Sequence, residues 1–172
     1  MIKALTRRLE SSRVLSTLFR RVYVAYYTPI INRERHLANI TSVDRVLFIG
    51  AGACPVSAML IAKKTCASVT AIDIDSAAIN KARSAAETHG LTAIQFALGA
   101  GEACDASDYD VVVLANQLLH KQAVIDRVRK TARPGTRIIV RMGRRQHAYL
   151  PSDRQMTHPY RGVRTSALLV IA

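Results

Sequence analysis

Tryptophan is absent from the 172 residues, and aromatic side chains are only 5% of the chain. Acidic residues are also scarce. Twelve Asp and Glu stand against 25 Lys and Arg, for a net charge of +13. Such an excess permits contact with nucleic acid, an anionic membrane or an acidic small substrate. The basic residues are scattered, however, at Arg7-Arg8, Arg20-Arg21, Lys63-Lys64, Arg127 to Lys130, Arg144-Arg145 and Arg161-Arg164. No groove of interleaved basic and aromatic residues is visible, so nucleic acid is not the favoured partner. No apolar run approaches the length needed to span a membrane. The first twenty residues place Ile2, Leu5, Leu9, Val14, Leu15, Leu18 and Phe19 in an amphipathic pattern. Arg7, Arg8, Arg13 and Arg20 interrupt it, which excludes a signal-peptide core and predicts a cytoplasmic protein. Cys54, Cys66 and Cys104 have neither CxxC nor metal-like spacing, which argues against a disulfide framework and predicts buried thiols. His36, His120 and His147 lack metal-ligand spacing, so no metal is expected. There is no phosphate-cradling GK[ST], no internal repeat and no low-complexity linker.

What is present is concentrated between Arg45 and Asp75. Val46 to Ile49 is an apolar run of strand length. Gly50-Ala51-Gly52 allows a tight turn that brings backbone N–H groups towards a ligand. Pro55 suits the start of a helix, because its missing N–H has no helical partner there. Val69 to Ile72 is a second strand, with Asp73 at its C-terminal end. A carboxylate there, about twenty residues after the glycines, accepts two hydrogen bonds from a ribose diol. The stretch reads as the first half of a nucleoside-binding βαβ unit.

The rest of the chain continues the alternation. Residues 3 to 22 show helical periodicity. Tyr23 to Ile31 is aromatic and closes at a proline, and Asn32 to Ile40 forms a second short helix. Ser76 to His89 is a helix that Asp75 or Ser76 caps and Gly90 stops. Ile94 to Leu98 is strand three, with Gly99-Ala100-Gly101-Glu102 as a loop at the ligand-facing edge. Tyr109 to Leu114 is strand four, followed directly by Asn116 and Gln117. Ala123 to Thr131 is a helix, Arg137 to Arg141 is strand five, and Val163 to Ile171 is the last strand. Met142 to Tyr160 is irregular. This order predicts an α/β fold, a doubly wound and mostly parallel sheet with helices on both faces. Residues 1–40 form a short helical cap and 41–172 the nucleoside-binding domain, together one compact unit. Ligands are expected outside the carboxyl ends of the strands.

The succession of strand, GxG, helix, strand and acid, with YDVVVLAN as strand four, resembles the class I S-adenosylmethionine (SAM) dependent methyltransferase fold, a Rossmann-like architecture. Dehydrogenase-type domains keep a small residue where Pro55 stands. A closer resemblance is to nicotianamine synthases and their bacterial and archaeal relatives. FIGAGACPVSAMLIAK is similar to their glycine-proline turn. The segment from Glu34 to Leu37 resembles the glutamate-led piece they carry before strand one. YDVVVLANQLLHKQAVIDRV resembles their strand four and following helix, which often has a lysine at the place of Lys121. PGTRIIVRMGRRQHAYLP resembles their strand-five exit at Arg141, Gly143, Arg145, Tyr149 and Pro151. Thr65 falls where that family carries a tyrosine near the reacting region.

This resemblance implies SAM as cofactor and transfer of its 3-amino-3-carboxypropyl group to a small amine or amino acid, or cyclisation of SAM. An ordinary SAM-dependent methyltransferase is the alternative, and a non-catalytic SAM-binding or basic interaction module is another. Glu34 is the implied catalytic carboxylate. Gly50, Ala51, Gly52, Pro55, Asp73, Ile74, Ala100, Gly101, Glu102 and Asn116 are the implied cofactor residues. Tyr27, Gln117, Arg141, Arg145 and Tyr149 are the implied substrate residues. Arginine forks suit the carboxylate of a substrate or of the methionine tail. The short helical cap implies a small chamber, or one completed by a second subunit in a homodimer.

Overall fold

The computed structural model describes residues 13–88, 90–142, 155–156 and 165–171. Helix α1 spans Arg13–Leu37, followed by β1 (Arg45–Ile49), α2 (Val56–Thr65), β2 (Ser68–Asp73), α3 (Ser76–Thr88) and β3 (Ile94–Leu98). A short 3₁₀ turn at Gly101–Ala103 precedes β4 (Val111–Leu114), α4 (Lys121–Thr131) and β5 (Arg137–Met142). Two further strands are β6 (Gln155–Met156) and β7 (Thr165–Val170). They form one seven-stranded sheet in the order β3-β2-β1-β4-β5-β7-β6. The first five strands run parallel, and β7 lies antiparallel to both β5 and β6.

Strand alternation divides the interior into two cores. Val46 and Phe48 of β1 and Val111 and Val113 of β4 face α1, α2 and α3. Leu47, Ile49, Val112 and Leu114 face α4 on the other side. All four residues of β4 are fully buried, which is why that strand reads as a continuous apolar run. Each such side chain contributes about 1.5–3 kcal/mol by leaving water. Helix α2 packs against both α1 and the sheet, so Val56, Ser57, Ala58, Leu60, Ile61, Ala62 and Thr65 are all buried.

The N-terminal region differs from the sequence expectation. α1 is one helix of 25 residues and runs through Pro29. Proline in a helix interior removes one hydrogen bond and crowds the preceding turn. Tertiary contacts outweigh that cost. Tyr23, Tyr27, Ile31, Glu34 and Ala38 recur at helical spacing on the inward side. Two arginines of β5, on one face because four residues separate them, hold this helix at two heights. Arg137 donates to the carbonyls of Ala38 at 2.7 Å and Asn39 at 2.9 Å, and pairs with Asp44. Arg141 pairs with Glu34. The strand at Gln155–Met156, within a stretch expected to be irregular, is a second departure. A third is the thiols: Cys54 and Cys66 are exposed, one on the loop before α2 and the other in the left-handed cap after it. Among the described residues, no helix is long and apolar enough to cross a membrane.

Candidate functional site

The exits of β1, β2, β3 and β4 meet at one edge of the sheet. Gly50 takes a φ of +85°, and a Cβ there would come within 2.9 Å of Leu118 Cδ2 and 3.0 Å of Ala115 Cβ. Only glycine meets both demands. The turn's amides point inward. The N–H groups of Gly50 and Ala51 donate to the carbonyl of Ile72, at 2.9 and 3.1 Å. The N–H of Gly52 donates to Asp73 Oδ2 at 2.7 Å. This corrects the expectation that the turn offers those amides to a ligand. They tie the β1 exit to the β2 exit, and the loop is no phosphate cradle.

Asp73 is held from both sides. Its Oδ1 accepts the N–H of Asp75 at 3.1 Å while Oδ2 takes Gly52. Each oxygen keeps capacity for one more hydrogen bond. The carboxylate is only partly buried. Ile74, beside it, is 67% exposed, and Leu98, the β3 residue in register with Asp73, is 63% exposed. Pro55 is buried at the start of α2. Ala100 is extended and begins the 3₁₀ turn, whose exposed members are Glu102 and Ala103. Gly101 faces the core instead. A Cβ there would meet Ile49 Cγ2 at 2.8 Å and Val124 Cγ2 at 2.9 Å.

On the α1 side of the same edge lies a buried ion pair. Arg141 Nε donates to Glu34 Oε1 at 2.8 Å and Nη2 to Oε2 at 2.7 Å. Ser166 Oγ donates to Oε1 at 2.6 Å, and Arg141 Nη1 donates to Ser57 Oγ at 2.9 Å. The side chains of Arg141 and Glu34 are 3% and 1% exposed. The guanidinium also lies 5.2 Å from the Phe48 ring centre and 6.0 Å from that of Tyr27. Tyr27 in turn meets Tyr26 edge-to-face at 5.1 Å. Arg141, expected as a substrate-carboxylate fork, spends three of its five N–H donors on Glu34 and Ser57 and is buried. Glu34 retains one acceptor position, on Oε2.

Ser57 and Ser166 did not stand out in the sequence. Ser57 lies in the glycine-proline turn motif, but only the antiparallel register of Arg141 opposite Ser166 reveals the set. Lys121 is the other functional candidate that sequence reasoning left without a role. Its Nζ donates to the main-chain carbonyls of Asn116 at 2.9 Å and Arg141 at 2.7 Å, and lies 3.5 Å from Asn116 Oδ1. Burial of the ammonium pushes its pKa down to about 8. Its sequence signal is a cation at the first position of a helix that has no acid in its first turn. There the helix dipole disfavours positive charge. Gln117 is exposed beside Asn116. Thr65 does not reach this edge. It closes α2 at the opposite end of the sheet, with its hydroxyl donating to the Ile61 carbonyl at 2.7 Å. Arg145 and Tyr149 lie outside the described residues.

The model of the nicotianamine synthase protein family matches residues 11–165. The chain belongs to the nicotianamine synthase family. An L-histidine 2-aminobutanoyltransferase of Pseudomonas aeruginosa is 32% identical over 123 residues, 70% of this chain and 47% of that protein. One of the same description from Yersinia pestis is 27% identical over 122 residues, 70% of this chain and 46% of that protein. This family member thus spans about half the length of those relatives. Among solved structures, MtNAS in complex with MTA and tNA has a TM-score of 0.80 and 22% identity, over 96% of this chain and 68% of that one. An RNA methyltransferase from Salinibacter ruber, in complex with S-adenosyl-L-homocysteine, has a TM-score of 0.70 and 22% identity. That match covers 83% of this chain and 90% of the other. These likenesses establish the fold as that of class I SAM-dependent methyltransferases.

Proposed function

We propose that this chain is a SAM-dependent transferase that moves the 3-amino-3-carboxypropyl group to the amine of a small amino acid. The observation that carries the reading is Asp73, cross-tied to Gly52 and Asp75 with one acceptor position left on each oxygen, in a chain of this family. That arrangement fits a ribose diol. The inward-turned amides of the glycine turn fit a cofactor without phosphate. Exposed Ile74 and Leu98 provide apolar surface for an adenine ring. Histidine is a candidate acceptor, from the description of the relatives.

SAM supplies a sulfonium whose three attached carbons are all electrophilic. Orientation decides which carbon meets the nucleophile. In the transfer, a nitrogen–carbon bond forms, the sulfur–carbon bond to the aminocarboxypropyl group breaks, and methylthioadenosine leaves as a neutral thioether. The acceptor amine must enter neutral and then lose a proton. Glu34 is the carboxylate for that proton, through Oε2, with Arg141 and Ser166 fixing its orientation. Its burial favours a second role as the pin that docks α1.

The product decides between this reading and ordinary methylation. Incubation with SAM and histidine or other small amines is expected to release methylthioadenosine. Release of S-adenosylhomocysteine would establish a methyltransferase instead. A homodimer would add a second wall to the acceptor chamber, with the exposed Val22 and Val24 of α1 facing a second copy. Light scattering should then give twice the 18.9 kDa chain mass.

A further inference from the structure

The exits of β4 and β5 lie side by side, because the two strands are parallel neighbours. The transferred group ends in a carboxylate, and the arginine best placed by sequence is closed off in the Glu34 pair. Lys121 lies against the same strand exit. Its ammonium donates to carbonyls on both strand exits, Asn116 on one and Arg141 on the other. The β4 exit is also the part of the chain against the glycine turn. Ala115 N–H donates to the Ile49 carbonyl at 3.0 Å, and Leu118 packs where Gly50 has no side chain.

An ammonium only donates hydrogen bonds. Asn116 Oδ1 is the side-chain atom on the Lys121 side, 3.5 Å from Nζ, which leaves the amide NH₂ on the other side. A carboxamide held that way presents donors. Asn116 is partly exposed two residues beyond β4, next in the chain to Ala115, which lies against Gly50, so it stands at the ligand edge. A donor pair beside a cation accepts an anion and gives an ammonium nothing to bind. The placement of Lys121 runs against its own helix dipole and leaves its charge half-buried. Violations of local preference of this kind concentrate at functional positions.

We infer that Lys121 and Asn116 form the recognition point for the carboxylate of the aminocarboxypropyl tail, with Asn116 in contact and Lys121 as its positioning residue. The inference rests on the SAM reading above and specifies which end of the tail the β4 exit holds. It makes decarboxylated SAM, which has the same nucleoside, sulfonium and amine, a poor ligand.

Calorimetric binding of SAM and of decarboxylated SAM to the full chain tests it without turnover. The wild type should prefer SAM by at least about tenfold, the size of one charge-assisted hydrogen bond. Lys121→Met should lose most of that preference while keeping affinity for methylthioadenosine, which lacks the tail. Asn116→Asp puts a carboxylate at the contact and should invert the preference, providing a test that does not depend on Lys121→Met folding. Full preference for SAM in either folded variant would overturn the inference and leave the SAM reading intact. Failure of the wild type to bind SAM, decarboxylated SAM or methylthioadenosine would overturn both.

Discussion

Asp73 is the residue whose surroundings specify its chemistry most narrowly. Two backbone N–H groups hold its carboxylate, and its remaining acceptor positions face the edge of the sheet. Asp73→Ala is expected to weaken SAM binding by about 100-fold or more, the loss of two hydrogen bonds to a charged acceptor. Calorimetry that finds unchanged affinity removes the ribose role. This residue was legible in the sequence, because strand, turn and acid are local and their spacing is fixed by one βαβ unit. Gly101 was legible only as a glycine near the edge. Its packing against Ile49 and Val124 depends on how the 3₁₀ turn meets α4, which no local pattern encodes. Gly101→Ala is expected to destabilise by about 1–3 kcal/mol through overpacking, read from the midpoint of urea unfolding, with SAM affinity little changed. Glu34 was visible as a charge in an Arg-Glu-Arg segment, and nothing there indicates burial. Glu34→Gln leaves Arg141 buried without its counter-charge, a loss of about 3–5 kcal/mol. Lost turnover in that variant alone is ambiguous. The double variant Glu34→Leu with Arg141→Leu removes both charges. If it folds and still releases methylthioadenosine, Glu34 has no part in proton transfer.

α1 shows where element boundaries escape sequence reasoning. A proline and an aromatic cluster break the local helical signal near Tyr27 to Pro29, so two helices were expected. What keeps one helix is a set of contacts between residues about a hundred positions apart, Arg141 to Glu34 and Arg137 to Ala38, Asn39 and Asp44. The periodicity of β5 places both arginines on the α1 side, and this much follows from the sequence once the sheet face is known. The central strands were readable for the opposite reason. Their apolar runs need no partner's register to be recognised, and β3 matches its expected limits. Arg137→Met keeps the packing stem but removes three hydrogen-bond partners from the end of α1. It is expected to cost about 2–3 kcal/mol, since Asp44 remains only 8% exposed without its partner. Hydrogen exchange should then quicken in Ile31–Leu37 ahead of β1 and β4. Equal quickening everywhere would mean that the staple does not act on α1 alone.

Across the whole molecule, the scarcity of acids gives the remaining ones unequal weight. The net charge of +13 opposes compaction through self-repulsion. At the sheet edge away from the candidate site, Asp110 accepts the Arg45 N–H at 2.8 Å and pairs with Arg133. Burial pushes its carboxyl up, but the Arg45 amide and the Arg133 guanidinium outweigh that and hold it below the ordinary carboxylate range. The Arg45–Asp108 contact, at 3.8 Å between exposed side chains, adds little. A carboxyl whose folded pKa is depressed stabilises the fold above its unfolded value, about 3.9, and loses that contribution as pH falls through the folded value. Below that range every lost carboxylate also raises the positive charge. Wild-type stability should therefore fall steeply on acidification below about pH 4, and less steeply in high salt, which screens the repulsion. Asp110→Asn should be less stable than wild type at pH 7 and lose less on further acidification, so that the two curves converge in acid. Thermal melts at two salt concentrations across that range separate the two effects. Convergence at both salts assigns the acid loss to the Asp110 contacts themselves, and a gap that salt alone closes assigns it to net charge.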